Sequence, residues 1–297
     1  MRLKKQLRES LKNSQSTEIF DGKKTAEKIL LDLKKRIAGG KTKPKLAIIL
    51  IGENKASKIY CGLKRKAGKR IGIRVIILKF EASEKEENII KKIDFLNKDK
   101  FIDGIIVQLP LPKSFNTDKI IEAISPEKDV DGFHRINRGL LKKGKNPCLF
   151  PVLPSAILIA LTAANHQLKR KKIVSLVNSK VFGENLRNFF KLKGIKIKNI
   201  LFKRTPLLKF KSELKSADVL ITVLGLPNLI KGEMIKDKAI LIDAGITYLP
   251  KRKVVGDVDK QSVKGKAVFL TPIIGGIGPL TVALLLKNTY LASQKYG

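Results

Sequence analysis

Residues 45–52 read KLAIILIG, a continuous apolar run that stops at a glycine. A run of this kind is typical of a strand that is buried on both faces of a parallel sheet. Outward from it, the pattern predicts helices over Lys23–Ile37 and Ser57–Ile71 and further strands over Arg74–Phe80 and Asp103–Gln108. Because strands alternate with helices, the chain is expected to be an α/β protein with parallel sheets.

The second half of the chain repeats this alternation after three prolines between residues 147 and 154, where we place a domain boundary. An apolar helix is predicted over Ser155–Ala163 and a last helix over Pro279–Leu286. Ligands of parallel α/β sheets bind beyond the carboxyl ends of the strands, so functional residues are expected there. The predicted strands of this half are Lys172–Val177, Lys196–Phe202, Val219–Leu224, Ala239–Asp243 and Ala267–Leu270.

The composition of the 297 residues excludes several classes of protein. Hydrophobic residues make up 43%, which is enough to bury a core and excludes a wholly disordered chain. No run of about 18 apolar residues is present, so no membrane span is expected. Cys61 and Cys148 form no CxxC pair, which argues against a disulfide scaffold or a cysteine zinc site. His134 and His166 are not a credible ligand pair either, so no metal is predicted.

The net charge is +36, from 62 Lys and Arg against 26 Asp and Glu. Such a chain attracts polyanions without sequence preference. The basic residues are spread along the whole chain, and neither a zinc-finger nor an RNP-like motif accompanies them. Specific nucleic-acid binding is therefore not predicted, although a nucleic-acid binder remains one alternative.

Residues 1–17 form a basic extension without the apolar segment of a secretory signal. A targeting peptide, a disordered bacterial tail and a wrongly assigned start are all compatible with it. We expect a cytoplasmic location.

Three polar residues share one face of the second predicted helix. Ser57, Tyr60 and Lys64 stand at positions i, i+3 and i+7. A phenol ring and an ammonium group one turn apart can stack on a flat ligand and exchange a proton with it. The basic neighbours Arg65 and Lys66 favour the neutral amine of Lys64. The alternative is a solvated lysine on an ordinary amphipathic helix.

Two further segments carry polar groups suited to a ligand. Gln108 ends a predicted strand, and Leu-Pro-Leu-Pro follows at residues 109–112. An amide at this place faces the cleft of an α/β sheet, where it can accept from an amine and donate elsewhere. Further on, residues 126–133 read PEKDVDGF. Asp129 and Asp131 could bind a metal, cap a helix or hold the N–H edge of a heteroaromatic ring.

These three segments, in this order, resemble the bifunctional methylenetetrahydrofolate dehydrogenase/methenyltetrahydrofolate cyclohydrolase family. The resemblance covers about residues 18–291 and includes IFDGK at 19–23, VGDVD at 255–259 and TPIIGGIGPLT at 271–281. It implies an enzyme of tetrahydrofolate one-carbon metabolism, with a link to purine biosynthesis. Methylene-tetrahydrofolate would be oxidised with NADP, and the methenyl product would be hydrolysed to 10-formyl-tetrahydrofolate.

The resemblance also implies the architecture. Residues 18–150 plus 273–297 would form an N-terminal α/β catalytic domain that binds folate, with the C-terminal helix returning to it. Residues 151–272 would form a Rossmann-like dinucleotide-binding domain with a parallel sheet. The implied partners are tetrahydrofolate derivatives and a second copy of the chain in a homodimer.

Carried over residue by residue, the resemblance makes Lys64 the central acid/base group and Gln108 the residue that holds and tunes it. Tyr60 corresponds to the ring that packs against the folate, and Asp131 to the carboxylate that recognises the pterin edge. The other substrate-binding residues that the resemblance implies are Leu109, Pro110, Gly275, Gly276, Gly278 and Pro279.

The dinucleotide-binding stretch departs from the family pattern. A Gly-Arg-Ser turn and a Val-Gly-x-Pro stretch are replaced by residues 177–179, Val-Asn-Ser, and residues 182–185, Phe-Gly-Glu-Asn. A valine in the turn would obstruct a pyrophosphate, the lost arginine removes a partner of the 2′-phosphate, and Glu184 adds a negative charge. The predicted cofactor-binding residues are Asn178, Ser179, Gly183, Lys203, Arg204, Thr205, Gly225 and Ile246.

NADP is the expected cofactor, with NAD as an alternative, and Lys203 and Arg204 would supply replacement charge for the 2′-phosphate. The departures leave two further hypotheses open. One is a cyclohydrolase with weak or lost dehydrogenase activity, and the other is a folate-binding protein without catalysis.

Overall fold

The computed structural model describes residues 16–40, 43–164, 167–202, 207–250 and 254–295. They form two compact units. The first unit comprises residues 23–156 and 279–295, and the second comprises residues 16–22 and 157–278. The predicted domain ends at residues 18, 150 and 273 lie a few residues away from these divisions. Residues 18–22 belong to the second unit because Glu18–Ile19 pairs with Phe269–Leu270 there.

The strands and helices alternate along most of the described chain. The strands are β1 (Glu18–Ile19), β2 (Lys45–Ile51), β3 (Arg74–Phe80), β4 (Gly104–Val107), β5 (Ile173–Val177), β6 (Ile197–Leu201), β7 (Val219–Val223), β8 (Ile240–Asp243), β9 (Thr247–Tyr248), β10 (Val254–Val255) and β11 (Phe269–Leu270). The helices are α1 (Gly22–Ala38), α2 (Lys55–Ile71), α3 (Glu86–Lys98), α4 (Thr117–Glu122), α5 (Arg135–Lys142), α6 (Val152–Ala164), α7 (Lys180–Leu192), α8 (Lys211–Ser216), α9 (Lys260–Val263) and α10 (Ile277–Lys295).

The first unit is built on a parallel sheet in the order β3-β2-β4. All residues of β2 after Lys45 are buried, as expected of a central strand that is covered on both faces. Ala47, Ile49 and Ile51 pack with Ile89 and Ile93 of α3 in one apolar cluster. Since this core fixes β2 and β4, the residues that follow β4 are held at a defined place.

The second unit is built on a parallel sheet in the order β1-β11-β8-β7-β5-β6. Leu176, Leu220 and Leu241, from three neighbouring strands, pack in one apolar cluster with Leu214 of α8. Strands β9 and β10 form a separate antiparallel pair. The order of the large sheet places β5 between β6 and β7, which is the arrangement of a doubly wound fold.

Helices α6 and α10 extend furthest beyond the ranges that the sequence pattern predicts. Helix α6 begins at Val152, with Pro154 in its first turn, where the missing N–H is not needed. Helix α10 continues past Leu286 to Lys295 although polar residues interrupt its apolar pattern. Asn288 is buried, and its Nδ2 donates to the carbonyl oxygens of Val130 and Phe150, at 2.8 Å each. These bonds satisfy the buried amide, so the helix continues through a polar position.

Among the residues that the structure describes, no helix is both long and apolar enough to cross a bilayer. Within the same ranges, no group of three or more His, Cys, Asp or Glu side chains could hold a metal ion.

Candidate active site

Helix α2 carries the predicted phenol and amine. Asn54 caps the helix and accepts from the amide of Ser57 at 3.0 Å, which satisfies one of the free amides of the first turn. The Ser57 hydroxyl donates to the carbonyl of Leu109 at 3.3 Å. Tyr60 and Lys64 are both partly buried and lie four residues apart, so they share one helix face. The cap and the Ser57 bond therefore fix this face beside the turn that follows β4.

The Lys64 amine and the Gln108 amide are in direct contact. Lys64 Nζ donates to Gln108 Oε1 at 2.7 Å. Gln108 Nε2 donates to the carbonyl of Leu109 at 2.7 Å, so the nitrogen is engaged and the oxygen is turned toward the amine. The contact that the resemblance implied between these two side chains is thus present in the structure.

Asp129 and Asp131 have different environments although one residue separates them. Asp129 is 1% exposed and accepts from the amides of Gly132 at 3.0 Å and His134 at 2.7 Å. It also accepts from Asn137 Nδ2 at 3.2 Å. Asp129 therefore shapes the turn, whereas Asp131 interacts electrostatically with Lys64.

Gly132 is required by the shape of this turn. Its φ is +80°, and a Cβ built on it would lie 2.6 Å from Cα of Pro151. Only glycine tolerates both conditions without a shift of the backbone.

Burial shifts the titration of the two charged groups in opposite directions. It lowers the pKa of Lys64, and the attraction of Asp131 opposes part of that shift. Burial raises the pKa of Asp131 to about 6. The charge of Lys64 lowers the pKa of Asp131, and the charge of Asp129 raises it. A buried amine with a lowered pKa beside a carboxylate with a raised one is an arrangement suited to proton transfer.

The predicted cause of the neutral amine was wrong. Arg65 and Lys66 are exposed, so solvent screens their repulsion. Removal of Lys64 from water is the main cause of its lowered pKa. The burial of a lysine on a helix face depends on what packs against that face, which the spacing of residues does not show.

Cys61 is a neighbour of this site that the sequence did not indicate. Its Sγ lies 3.8 Å from Gln108 Oε1, the side chain is buried, and burial raises the pKa of its thiol. The available signal was its position three residues before Lys64, on the same helix face.

In the second unit, β5 lies at the point where the strand order reverses. The chain passes from β5 to β6 on one side and then to β7 on the other side. Ligands of doubly wound sheets bind beyond the carboxyl ends of the strands at such a point. Residues 178 and 179 follow β5, and residues 224 and 225 follow β7.

Asn178 connects these two strand ends. Its side chain is exposed, and its Nδ2 donates to the carbonyl of Leu224 at 2.8 Å. Ser179 caps α7 by accepting from the amide of Phe182 at 3.2 Å. Glu184 is exposed on the same helix.

The predicted obstruction by Val177 was wrong. Val177 is the last residue of β5 rather than part of the turn, and it pairs with Leu201 and Val223. Its side chain is 1% exposed, and a Cβ on Gly183 would come within 2.9 Å of it. The valine therefore packs under α7, where the glycine leaves room for it.

Gly225 and Ile246 lie close together beyond β7 and β8. Gly225 has a φ of +69°, and a Cβ there would lie 3.7 Å from the carbonyl oxygen of Ile246. Of the other predicted cofactor residues, Lys203, Arg204 and Thr205 lie outside the described residues.

The residues around the switch point fit a dinucleotide. The free amides at the start of α7, a helix of 13 residues, can bind a phosphate. Gly225 presents backbone without a side chain, so a ligand can approach it closely. The arginine of the family's turn is absent from the sequence, as stated above, and Asn178 supplies an amide at that place.

The glycine-rich segment after β11 is partly helical. Gly275 and Gly276 form the connection, with a φ of +83° at Gly275, and α10 begins at Ile277. Gly278 and Pro279 therefore belong to the first turn of that helix, where proline is favoured. Leu109 and Pro110 follow Gln108 and are joined by a cis peptide bond.

Sequence models of two domains of one family match this chain. The tetrahydrofolate dehydrogenase/cyclohydrolase catalytic domain matches residues 20–131, and the NAD(P)-binding domain of the same family matches residues 151–296. The chain belongs to the tetrahydrofolate dehydrogenase/cyclohydrolase family. The predicted family and the predicted two-domain α/β fold are thereby confirmed.

Individual members of the tetrahydrofolate dehydrogenase/cyclohydrolase family are similar over their full length. The bifunctional protein FolD of Geotalea daltonii is 40% identical and covers 93% of this chain and 99% of its own. The bifunctional FolD enzyme of Campylobacter jejuni has a solved structure with a TM-score of 0.85 and 32% identity, over 94% of this chain and 99% of that one. The Trypanosoma brucei enzyme, solved with NADP cofactor and an inhibitor, has a TM-score of 0.88 and 29% identity, over 94% of this chain and 98% of that one.

These matches confirm the predicted enzyme class, a methylenetetrahydrofolate dehydrogenase and methenyltetrahydrofolate cyclohydrolase with a nicotinamide cofactor. Neither the family match nor the similar structures support the alternative of a lost dehydrogenase activity.

Proposed function

We propose that Lys64, Gln108, Asp131 and Tyr60 carry the folate chemistry of this enzyme. The supporting observation is the partly buried Lys64 amine, whose Nζ lies 2.7 Å from Gln108 Oε1 and whose pKa Asp131 raises. In this proposal the enzyme oxidises methylene-tetrahydrofolate with NADP and hydrolyses the methenyl product to 10-formyl-tetrahydrofolate.

Lys64 acts as the general base of the hydrolysis. Its lowered pKa increases the fraction of neutral amine near neutral pH. The neutral amine takes a proton from the water that adds to the methenyl carbon. When the ring opens, the new hydroxyl loses its proton to solvent as the formyl C=O forms and the bond from carbon to the ring nitrogen breaks, and the lysine ammonium gives its proton to that nitrogen. Gln108 Oε1 fixes the direction of the amine and stabilises the ammonium that forms.

Asp131 and Tyr60 bind the substrate. A carboxylate accepts hydrogen bonds from the N–H edge of a pterin ring, and the partial burial of Asp131 reduces competition from water. Tyr60 shares the helix face of Lys64 and presents a flat ring on which the folate can stack. Asp129 acts indirectly, because it holds the turn on which Asp131 lies.

The oxidation depends on the second unit. NADP bound there would supply the hydride acceptor for the oxidation, so no nucleophile of the protein is needed for this step. Ser179 and the start of α7 would hold its phosphates, and Asn178, Gly225 and Ile246 would line its site. Lys203, Arg204 and Thr205 are proposed contacts of the 2′-phosphate on the basis of the resemblance.

Replacement of Lys64 by methionine tests the proposed base. Met has a similar length and no titratable group, so K64M should fold normally and lose cyclohydrolase turnover by about 100-fold or more. Hydrolysis is measured on methenyl-tetrahydrofolate without cofactor, and oxidation on methylene-tetrahydrofolate with NADP and NAD separately.

K66M is the matched control. Lys66 is exposed on the same helix, so K66M should leave the rates of hydrolysis and oxidation unchanged. Unchanged hydrolysis in K64M would refute the role of Lys64. Hydrolysis without oxidation in the wild type would show instead that the enzyme is a cyclohydrolase alone.

The family resemblance also supports three proposals about the setting of this enzyme. The chain forms a homodimer, it works in the cytoplasm, and its 10-formyl product supplies formyl transfer for purine biosynthesis. Light scattering of the purified chain tests the first of these proposals.

A further inference from the structure

Two buried carboxylates lie behind the proposed cofactor site of the second unit. Asp257 is 0% exposed and Asp243 is 5% exposed. They are in direct contact through the backbone, since Asp243 Oδ1 accepts from the amide of Asp257 at 3.1 Å. Asp243 ends β8, so the pair lies at the carboxyl edge of the sheet.

Asp257 holds both sides of Gly225. Its two carboxylate oxygens accept from the amides of Leu224 and Leu226, each at 2.8 Å. Gly225 stands between these two amides, with its φ of +69°. The carboxylate therefore fixes the peptide groups on either side of the glycine.

Further hydrogen bonds connect the two carboxylates to the segments that carry Asn178 and Ile246, two other predicted cofactor residues. The carbonyl of Leu224 accepts from Asn178 at 2.8 Å, so Leu224 alone links Asp257 to the residue that follows β5. Asp243 Oδ1 accepts from the amide of Gly245 at 3.2 Å, the residue before Ile246. The loops after β5, β7 and β8 are thus connected to the same pair of carboxylates.

The surrounding sequence leaves space for the two carboxylates. A Cβ on Gly245 would lie 2.1 Å from the Asp257 carboxyl carbon, and a Cβ on Gly256 would lie 2.0 Å from Asp243 Oδ2. Burial raises the pKa of Asp243 to about 7 and also raises the pKa of Asp257. Keeping two neighbouring carboxyl groups buried costs free energy, which favours a role in the site over a role in stability alone.

We propose that Asp257, supported by Asp243, is a positioning residue of the cofactor site that holds the Gly225 loop, residues 224–226, in its ligand-binding conformation. This inference rests on the proposed function, because it assumes that NADP binds at this switch point. Asp257 does not contact the reacting atoms in this proposal. It acts through the backbone of the loop.

D257N tests the inference in the full-length chain. The amide keeps the shape of the carboxylate but replaces one acceptor with a donor, so it cannot accept from both Leu224 and Leu226. We expect the Kd for NADP, measured by titration without folate, to rise about tenfold. The dehydrogenase kcat should fall about tenfold with little change in KM for methylene-tetrahydrofolate.

D259N is the matched control. Asp259 belongs to the same VGDVD segment but caps α9, where it accepts from Gln261 and Ser262. D259N should leave NADP binding and both activities within about twofold of the wild type, because this helix cap contributes only to local stability. If D257N binds NADP and oxidises its substrate as well as D259N does, the inference is refuted.

Two further measurements separate positioning from folding. Parallel loss of cyclohydrolase and oxidation in D257N would show a structural role alone and refute the inference. If D257N does not fold, T222V takes its place, because Thr222 Oγ1 donates to Asp243 Oδ1 at 3.4 Å and valine keeps the shape. T222V should weaken NADP binding in the same direction, and unchanged binding would refute the inference.

Amide hydrogen exchange distinguishes failure of this inference from failure of the proposed function. If the wild type does not bind NADP, the proposed function fails, but the exchange of the Leu224 and Leu226 amides still reports on the loop. Exchange that is faster in D257N than in D259N supports the positioning role. Equal exchange refutes it.

Discussion

At the level of single residues, the proposed folate chemistry depends on one amine whose protonation is set by its burial and by the groups around it. Burial lowers the pKa of Lys64, and Asp131 raises it. Gln108 Oε1 adds a neutral acceptor at 2.7 Å. A neutral partner stabilises the ammonium less than a carboxylate would, so an amide at position 108 leaves the amine able to act as a base near neutral pH.

Substitutions at Gln108 should move the pH profile of the hydrolysis in opposite directions. Q108E places a negative charge beside the amine, which raises the pKa of Lys64 and shifts the rising limb of the profile to higher pH. Q108M removes the acceptor, so the limb should shift to lower pH. The measurement is the cyclohydrolase kcat/KM from pH 5 to 10. Shifts in the same direction would contradict the assignment of that limb to Lys64.

Ionisation of Asp131 should lower the free energy of unfolding as the pH rises. Its pKa is raised to about 6 in the folded protein from a usual value near 3.8, so the folded state binds the proton more tightly than the unfolded state. Its contribution to stability is therefore largest below pH 4 and is lost as the pH rises through 6. The free energy of unfolding of D131N, relative to that of the wild type, should therefore rise by about 1–3 kcal/mol between pH 4.5 and pH 8.

Urea unfolding of both proteins at the two pH values measures this gain. The same variant should bind substrate less tightly, because it loses the carboxylate that accepts from the pterin. A difference in stability that does not change with pH would contradict the raised pKa.

At the level of elements, two short connections bring Gln108 and Asp131 to the proposed site, where helix α2 carries Tyr60 and Lys64. The turn after β4 carries Gln108, and the turn before α5 carries Asp131. Asp129 organises the second turn through the amides of Gly132 and His134, and Gly132 provides the backbone conformation that this turn needs. The precision of the site therefore depends on groups that do not touch the substrate.

A pair of glycine substitutions tests the turn. G132A should destabilise the protein by about 2 kcal/mol or more, because alanine is strained at a φ of +80° and its Cβ meets Pro151. G139A should stabilise it by about 0.5–1 kcal/mol, because Gly139 lies inside α5 and nothing is within 4 Å of its Cβ position. Thermal unfolding measures both. Equal effects of the two variants would contradict the account of the turn.

At the level of the whole molecule, the net charge of +36 is separate from the folate chemistry. Ion pairs such as Arg36 with Asp32 and Lys98 with Asp94 are exposed and contribute little to stability. A basic excess of this size acts mainly on long-range attraction to polyanions.

Binding to nucleic acid should be weak, steeply salt-dependent and indifferent to sequence. Fluorescence anisotropy with two duplexes of unrelated sequence should give equal affinities, which fall by about 100-fold or more between 50 and 200 mM salt. A preference for one duplex that persists at high salt would contradict the expectation of no specific nucleic-acid partner.

Much of the fold follows from local patterns in the sequence. The apolar run over residues 45–52 predicts β2 because hydrophobic patterning is a property of neighbouring residues. The order of the motifs around Lys64, Gln108 and Asp131 likewise indicates the family. The short helices α4, α5 and α9 and the β9-β10 pair were not predicted, since short segments have no clear period and depend on tertiary contacts.

Tertiary packing decided the properties that depend on residues far apart in the chain. The sequence placed Lys64 and Gln108 44 residues apart and could not show that they are 2.7 Å apart, or that burial rather than repulsion lowers the pKa of the amine. It suggested that Val177 blocks a phosphate, whereas Val177 ends β5 and its side chain is buried under α7. The identity of each side chain and its local period are encoded in the sequence, but its exposure and its partners arise only when distant segments pack together.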